Sequence, residues 1–296
     1  MANKKISQLA SSATLTGTEE LPLVQGGVTL KTTAQDIANL AGGLFEVGTG
    51  GAASTQRVGS GTASGNTSTI SGGDTNEASG GVSAIGGGIN NTASASFSTV
   101  SGGSNNTASG NTTTIGGGSE NTASGDQSTI SGGYGNTASD YRSTVGGGYG
   151  NNASGYTSVV SGGTYNTSQG DYSIISGGYQ NTATGQYATV GGGYGNTASG
   201  QGSVVNNGYS NTASGYQSTV SSGYGNTASA SRSVIIAGTY NSSSTFEQSI
   251  IAGDGITADR SQCLFVDNLS IKSIPTAATG LPSGSVWNNG GVLNIV

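Results

Sequence analysis

One aliphatic residue returns every fifteen positions through most of this chain, and nearly everything around it is small and polar. It stands at Ile70, Ile85, Val100, Ile115, Ile130, Val145, Val160, Ile175, Val190, Val205, Val220, Ile235 and Ile250. Counting coils from Gly61, this is column ten of thirteen copies of a pattern near N-T-A-S-G-x-x-S-T-V-S-G-G-x-x. Column one is Asn from Asn76 to Asn241, and column thirteen is Gly from Gly73 to Gly253. Helical repeats need roughly 33 residues or more, so this period is too short for them. It predicts an all-β fold, a parallel β-solenoid with one coil per repeat.

Within a coil, columns one to four predict a first short strand and columns seven to eleven a second. Gly and Asn at columns five and twelve to fifteen predict corners, because they tolerate positive φ. Strand alternation turns Ser of column eight and Val or Ile of column ten inward, with Ala of column three facing them across a thin roll. Stacked about 4.8 Å apart, thirteen coils make a rod of roughly 60 Å. Pro22, Pro275 and Pro282 all lie outside the block, as expected if each coil donates backbone N–H groups to a continuous ladder. The core is thin for the backbone entropy it must offset. Columns nine and eleven are small or β-branched, as in Thr69 and Ser71 or Val159 and Ser161. They form either a solvated face or a flat surface for lateral association, and the thin core favours association.

The flanks break the pattern. Residues 1–45 form an N-terminal segment in which Leu21–Lys31 alternates around Gly26-Gly27 and predicts a β-hairpin. Thr33-Ala34-Gln35-Asp36 then opens a predicted short helix through Leu40. Residues 46–60 are a Gly/Ala/Ser/Thr-rich transition, 61–260 the solenoid, and 261–296 a C-terminal cap and hairpin. In the cap, Cys263-Leu264-Phe265-Val266 predicts a more apolar last coil, with Phe265 in the column-ten register. Ser285–Trp287 is predicted to pair with Val292–Ile295 across Asn288-Asn289-Gly290-Gly291.

Composition narrows the chemistry. The 296 residues include 56 Gly, no His and one Cys, and only 7% are charged, for a net charge of −6. That leaves no basic patch for nucleic acid and no disulfide framework around Cys263. Asp74, Asp126, Asp140, Asp171 and Asp254 share no single column, so calcium-binding repeats are not expected. Gly59–Gly65 lacks a phosphate-loop lysine. No catalytic, metal or cofactor residues are predicted, and the expectation is a non-enzymatic protein. The start of the sequence carries no apolar run behind Lys4-Lys5, and no stretch approaches the roughly 20 apolar residues of a membrane span. The expectation is therefore no signal peptide and no membrane insertion.

Tyrosine is the sharpest functional candidate. All 13 lie between Tyr134 and Tyr240. Tyr134, Tyr149, Tyr179, Tyr194, Tyr209 and Tyr224 share column fourteen, and residues 172–231 contain no charged side chain. A neutral aromatic ridge of this kind suits contact with sugars or with another protein. Alternatively the rings only brace successive corners, as cross-strand aromatic pairs do. Column two, mostly Thr with Ser two residues on, makes a T-x-S array like that of an ice-binding face, interrupted at Glu77, Asn152 and Ser242.

The repeats at 61–255 resemble the heads of YadA-type trimeric adhesins, which are left-handed parallel β-rolls, although those heads favour S-V-A-I-G where most coils here read S-T-V-S-G or S-T-I-G-G. The resemblance implies a left-handed roll and a homotrimer. Lys5–Leu9 with Leu15–Gly27 resembles the amino-terminal segment of tailed-phage fibre and appendage proteins. Thr279–Val296 resembles the carboxy-terminal hairpin of similar phage structural proteins. Together these imply a virion structural protein, a short tail fibre or appendage assembled in the host cytoplasm. Residues 1–45 would attach it to another virion protein, and the solenoid would act as spacer and as a contact for a host surface glycan or protein. A secreted or cell-surface trimeric adhesin head and an ice-binding solenoid are the alternatives.

Overall fold

The computed structural model describes residues 61–267 continuously, together with strands at 20–25, 28–33, 46–47, 55–56, 286–289 and 292–295 and positions 279–280 and 283. It is an all-β parallel solenoid of about 14 turns. Two sheets run its length. One pairs columns two and three of successive coils, from Thr62–Ala63 to Thr227–Ala228. The other pairs columns nine and ten. It begins with an antiparallel pair at Glu46–Val47 and Thr55–Gln56 and ends at Leu264–Val266. A third ladder of single parallel bridges joins column fourteen from Asp74 to Thr239.

The inward columns are those the alternation predicts. Column-three Ala, column-eight Ser and column-ten Val or Ile are buried along the whole roll. Where column three is Ser instead of Ala, the inward hydroxyl finds a partner. Ser168 Oγ lies 2.6 Å from Ser173 Oγ, and Ser243 Oγ donates to Ser233 Oγ at 2.7 Å. A polar atom in so narrow a core would otherwise cost its full desolvation penalty.

The strands are shorter than the sequence suggests, only two residues each in the regular coils. Column seven does not extend the second strand. It is a left-handed turn residue, with φ of 61° at Thr67, 58° at Phe97 and 56° at Tyr172. Column fifteen behaves alike at Asn90, Glu120 and Tyr165. Such conformations are uncommon for non-glycine residues and unfavourable for β-branched ones, so the coil imposes them. The benefit is directional. Strand N–H groups donate to the following coil, as Thr92 does to the Asn106 carbonyl, whereas Phe97 N–H donates back to Gly81 and Asn90 N–H back to Asp74. Each coil is thereby tied in both directions.

Column-five glycines also differ from expectation. They do not have left-handed φ, but a Cβ at Gly125 would run into the backbone of Asp140 in the next coil. Column five is thus a close approach between coils rather than a positive-φ corner.

The last regular coil takes one extra residue before its inner aliphatic, so Ile235 pairs with Ile251. Ile251 is buried and Ile250 is exposed, reversing the assignment made from the fifteen-residue count. The next turn is one residue short, and Phe265 still lands opposite Ile251. The C-terminal hairpin is tighter than predicted, pairing Val286–Asn289 with Val292–Ile295 so that Asn289 faces Val292. The N-terminal hairpin pairs Glu20–Gln25 with Val28–Thr33 around Gly26-Gly27. Beyond Thr33, which ends the second strand, the helix expected through Leu40 lies outside the described residues.

Candidate contact surface

The six column-fourteen tyrosines predicted from the sequence come together on one edge, each between 37% and 43% exposed. Their backbones lie on the third ladder, so rings in adjacent coils are held one over the next. Ring centroids are 5.2 Å apart for Tyr179 and Tyr194, 4.7 Å for Tyr194 and Tyr209, and 5.0 Å for Tyr209 and Tyr224, all nearly parallel. Tyr134 stacks on Tyr149 at 5.2 Å.

Two further tyrosines complete this ridge and were not predicted, because they sit in column fifteen. Where column fourteen is Thr164 or Thr239, the following residue is Tyr165 or Tyr240. Tyr165 meets Tyr149 edge-on at 5.0 Å and Tyr179 at 6.1 Å, and Tyr240 meets Tyr224 at 5.0 Å. The coil before each has glycine in column fifteen. A Cβ at Gly150 would lie 2.7 Å from the Tyr165 ring, and one at Gly225 would lie 2.9 Å from the Tyr240 ring. Glycine makes room for the ring to lean across. That Gly-then-Tyr offset of fifteen residues is the sequence signal that could have found them. The ridge is continuous from Tyr134 to Tyr240.

A second aromatic column lies at another corner, at columns six and seven. Tyr141 stacks on Tyr156, Tyr156 meets Tyr172 edge-on, and Tyr172 stacks on Tyr187 at 5.2 Å. The Arg142 guanidinium lies 4.8 Å from the Tyr141 ring centroid.

Several of these phenols titrate above their ordinary value near 10. Tyr134 is raised first by its hydrogen bond with Glu120, Tyr165 by its bond with Tyr149, and Tyr224 by its bond with Tyr240. Tyr172 is raised mainly by desolvation. A folded-state pKa above the unfolded one means the folded chain holds the proton more tightly. The associated stability is full below pH 10 and is lost as pH rises through the folded values. The melting temperature should therefore fall as pH rises above about 10, and fall less steeply when Tyr134, Tyr165 and Tyr224 are replaced by Phe.

The scattered aspartates are corner stitches. Asp126 Oδ1 accepts from the Asn111 N–H at 2.8 Å, and Asp254 Oδ1 accepts from the Thr239 N–H at 2.7 Å, each across fifteen residues. Column-two threonines form a straight, mostly half-buried row broken at Glu77 and Asn152.

Residues 68–80 match the ubiquitous surface protein adhesin repeat. The matched segment holds the inner Ile70, the Gly73 turn, the buried Asn76, the inner Ala78 and the close-approach Gly80. The likeness therefore concerns the framework of a coil; the tyrosine ridge begins well beyond it. With the parallel solenoid, it fits a YadA-like, adhesin-like β-roll. A comparison with curated proteins returned no match.

Proposed function

We propose that this chain is a non-enzymatic attachment fibre whose tyrosine ridge contacts a foreign surface. The observation that carries the reading is the ridge itself, eight phenols in continuous ring contact, six of them on the column-fourteen ladder. Tyrosine offers large contact area, little entropy to lose and a polar tip. The ridge is not needed to close the corner, because the same column holds Asp74, Ile89, Ser104 and Ser119 in earlier coils without a change of fold.

The setting we propose is a phage virion, with residues 1–45 as the attachment segment and the chain assembled as a homotrimer. The likeness of both ends to phage fibre segments supports this. The adhesin-repeat match at 68–80 favours a second setting, the head of a cell-surface trimeric adhesin. Antibody against the solenoid separates them by labelling either purified particles or bacterial cells.

The contact role has its own test. Tyr179, Tyr194, Tyr209 and Tyr224 replaced together by Ser should cut adsorption to the target surface while the melt shifts only slightly. Intact adsorption with a lowered melt would reduce the ridge to bracing, each ring then contributing roughly 0.2–1 kcal/mol.

A further inference from the structure

The second aromatic column is interrupted in a way that leaves a shaped space. Tyr172 and Tyr187 stack in column seven, and the next column-seven position is Gly202. One coil further stand Tyr216 in column six and Gln217 in column seven. The result is a half-open notch of about 370 Å³ lined by Tyr187, Gln201, Gly202, Tyr216 and Gln217. Its size falls in the range of small-molecule sites.

The backbone there is no different from that of its neighbours. Gly202 has φ of 64°, against 56° at Tyr172 and 59° at Tyr187. Neighbouring coils carry side chains at this left-handed φ at some cost in strain, and an added Cβ would make only an ordinary contact, 3.5 Å from Gln217 Cγ. The coil does not require glycine. What glycine removes is one member of a ring column whose stacked spacing is 5.2 Å. The vacancy therefore has the thickness of a single ring.

We propose that this notch binds one neutral pyranose unit of a glycan. It deepens the contact role proposed above and rests on it. A pyranose presents C–H groups on its faces, which suit the negative faces of aromatic rings, and hydroxyls around its edge. Amides stand where those hydroxyls would lie. Gln201 Nε2 donates to Gln186 Oε1 at 3.0 Å, which leaves the Gln201 carbonyl oxygen and its second N–H available. The Gln217 amide makes no hydrogen bond among the described residues. Neutrality follows from the surroundings. Residues 172–231 carry no charge, and the stretch is bounded by Asp171 on one side and Arg232 on the other. The Arg232 guanidinium stands behind the lining Tyr216, 5.9 Å from its ring centroid, and the sialic acid probe tests whether that cation draws an anionic sugar instead.

The test uses the full chain and four probes, the methyl glycosides of glucose, galactose, mannose and sialic acid, read by saturation-transfer NMR. Wild type should show transfer to the C–H protons of at least one. Gly202→Tyr restores the missing ring and should weaken that binding more than about tenfold, with a drop in melting temperature no larger than that of Gly202→Ala, since both place a side chain at the same left-handed φ. Gly202→Ala leaves the space open and should retain it. Equal binding by Gly202→Tyr, or no transfer to any of the four, overturns the site. Transfer seen only with sialylated glycosides overturns its neutral class. Adsorption of the same proteins to the target surface keeps the two proposals apart. Wild-type transfer without adsorption removes the contact role and supports the notch, whereas adsorption unaccompanied by transfer overturns the notch alone.

Discussion

Replacing Val205 with Asp should lower the melting temperature sharply. Val205 is fully buried, paired through its strand with Val190 in the coil before and Val220 in the coil after. Across the roll the facing positions are Ala and Ser, so no cation is within the core to meet a carboxylate. Only the buried hydroxyls of column eight are near in type, and the Oγ of Ser203 and of Ser218 has no hydrogen-bond partner. Two hydroxyls cannot replace the hydration of an ionised group. The charge must either be neutralised at the cost of a raised pKa or expelled by opening the coil. We expect a loss of at least about 4 kcal/mol, measured by thermal or denaturant unfolding. Val205→Thr, similar in shape, should cost much less. A Val205→Asp protein that melts like wild type would contradict the inner assignment of column ten.

That assignment was legible because a periodic core repeats its own argument twelve times before the count slips at Ile250. One inward aliphatic could be chance, but Val or Ile at a fixed column with Ser two positions earlier and Ala across the roll could not. The tyrosine ridge was legible for the same reason wherever it kept to column fourteen. Reading by count alone failed where the chain broke the count. At the end of the solenoid both Ile250 and Ile251 can fill the inner site, so hydrophobicity does not choose between them. The residue two positions before does. The fifteen-residue count would bury Gln248, whereas the slipped register buries Ser249 and gives Gln248 the left-handed turn position, with φ of 56°.

Other features were hidden by general preferences. Left-handed φ is expected at Gly or Asn, so Thr, Phe, Arg and Tyr in column seven read as strand. Their side chains point outward, which frees the identity of the residue while the backbone pattern stays fixed. That freedom is what lets the same position carry a stacking Tyr in one coil and an empty notch at Gly202 in another.

The column-one asparagines were the most conspicuous repeat and the least understood from sequence, since Asn usually marks a solvated corner. Here they are fully buried and form a side-chain ladder through the molecule. Asn211 shows the pattern. Its Nδ2 donates to Asn196 Oδ1 at 3.1 Å, to the Asn207 carbonyl at 3.3 Å and to the Gly223 carbonyl at 2.9 Å. Its Oδ1 accepts from the backbone N–H and the Nδ2 of Asn226, both at 3.0 Å. The column-thirteen glycines belong to the same device. Gly208 has φ of 109°, and an added Cβ would lie 2.4 Å from Asn211 Nδ2. The amide is needed because one planar group must donate on one side and accept on the other.

Asn211→Asp keeps the shape and the accepting oxygen but replaces the donor. An ionised carboxylate would then face three oxygens at hydrogen-bond distance, two of them carbonyls that have lost their amide donor. Protonation would restore one donor, so the folded state should hold the Asp proton well above its ordinary value near 3.9. The sign follows: a raised folded pKa means the penalty is smallest in acid and grows as pH rises through the unfolded value. At neutral pH we expect a loss of at least about 3 kcal/mol, from unsatisfied buried groups and the buried charge together. Between pH 7 and pH 4 the gap to wild type should narrow. A pH-independent deficit would mean that the lost hydrogen bonds act without the charge. A variant as stable as wild type at pH 7 would remove the asparagine ladder from the forces that hold successive coils together.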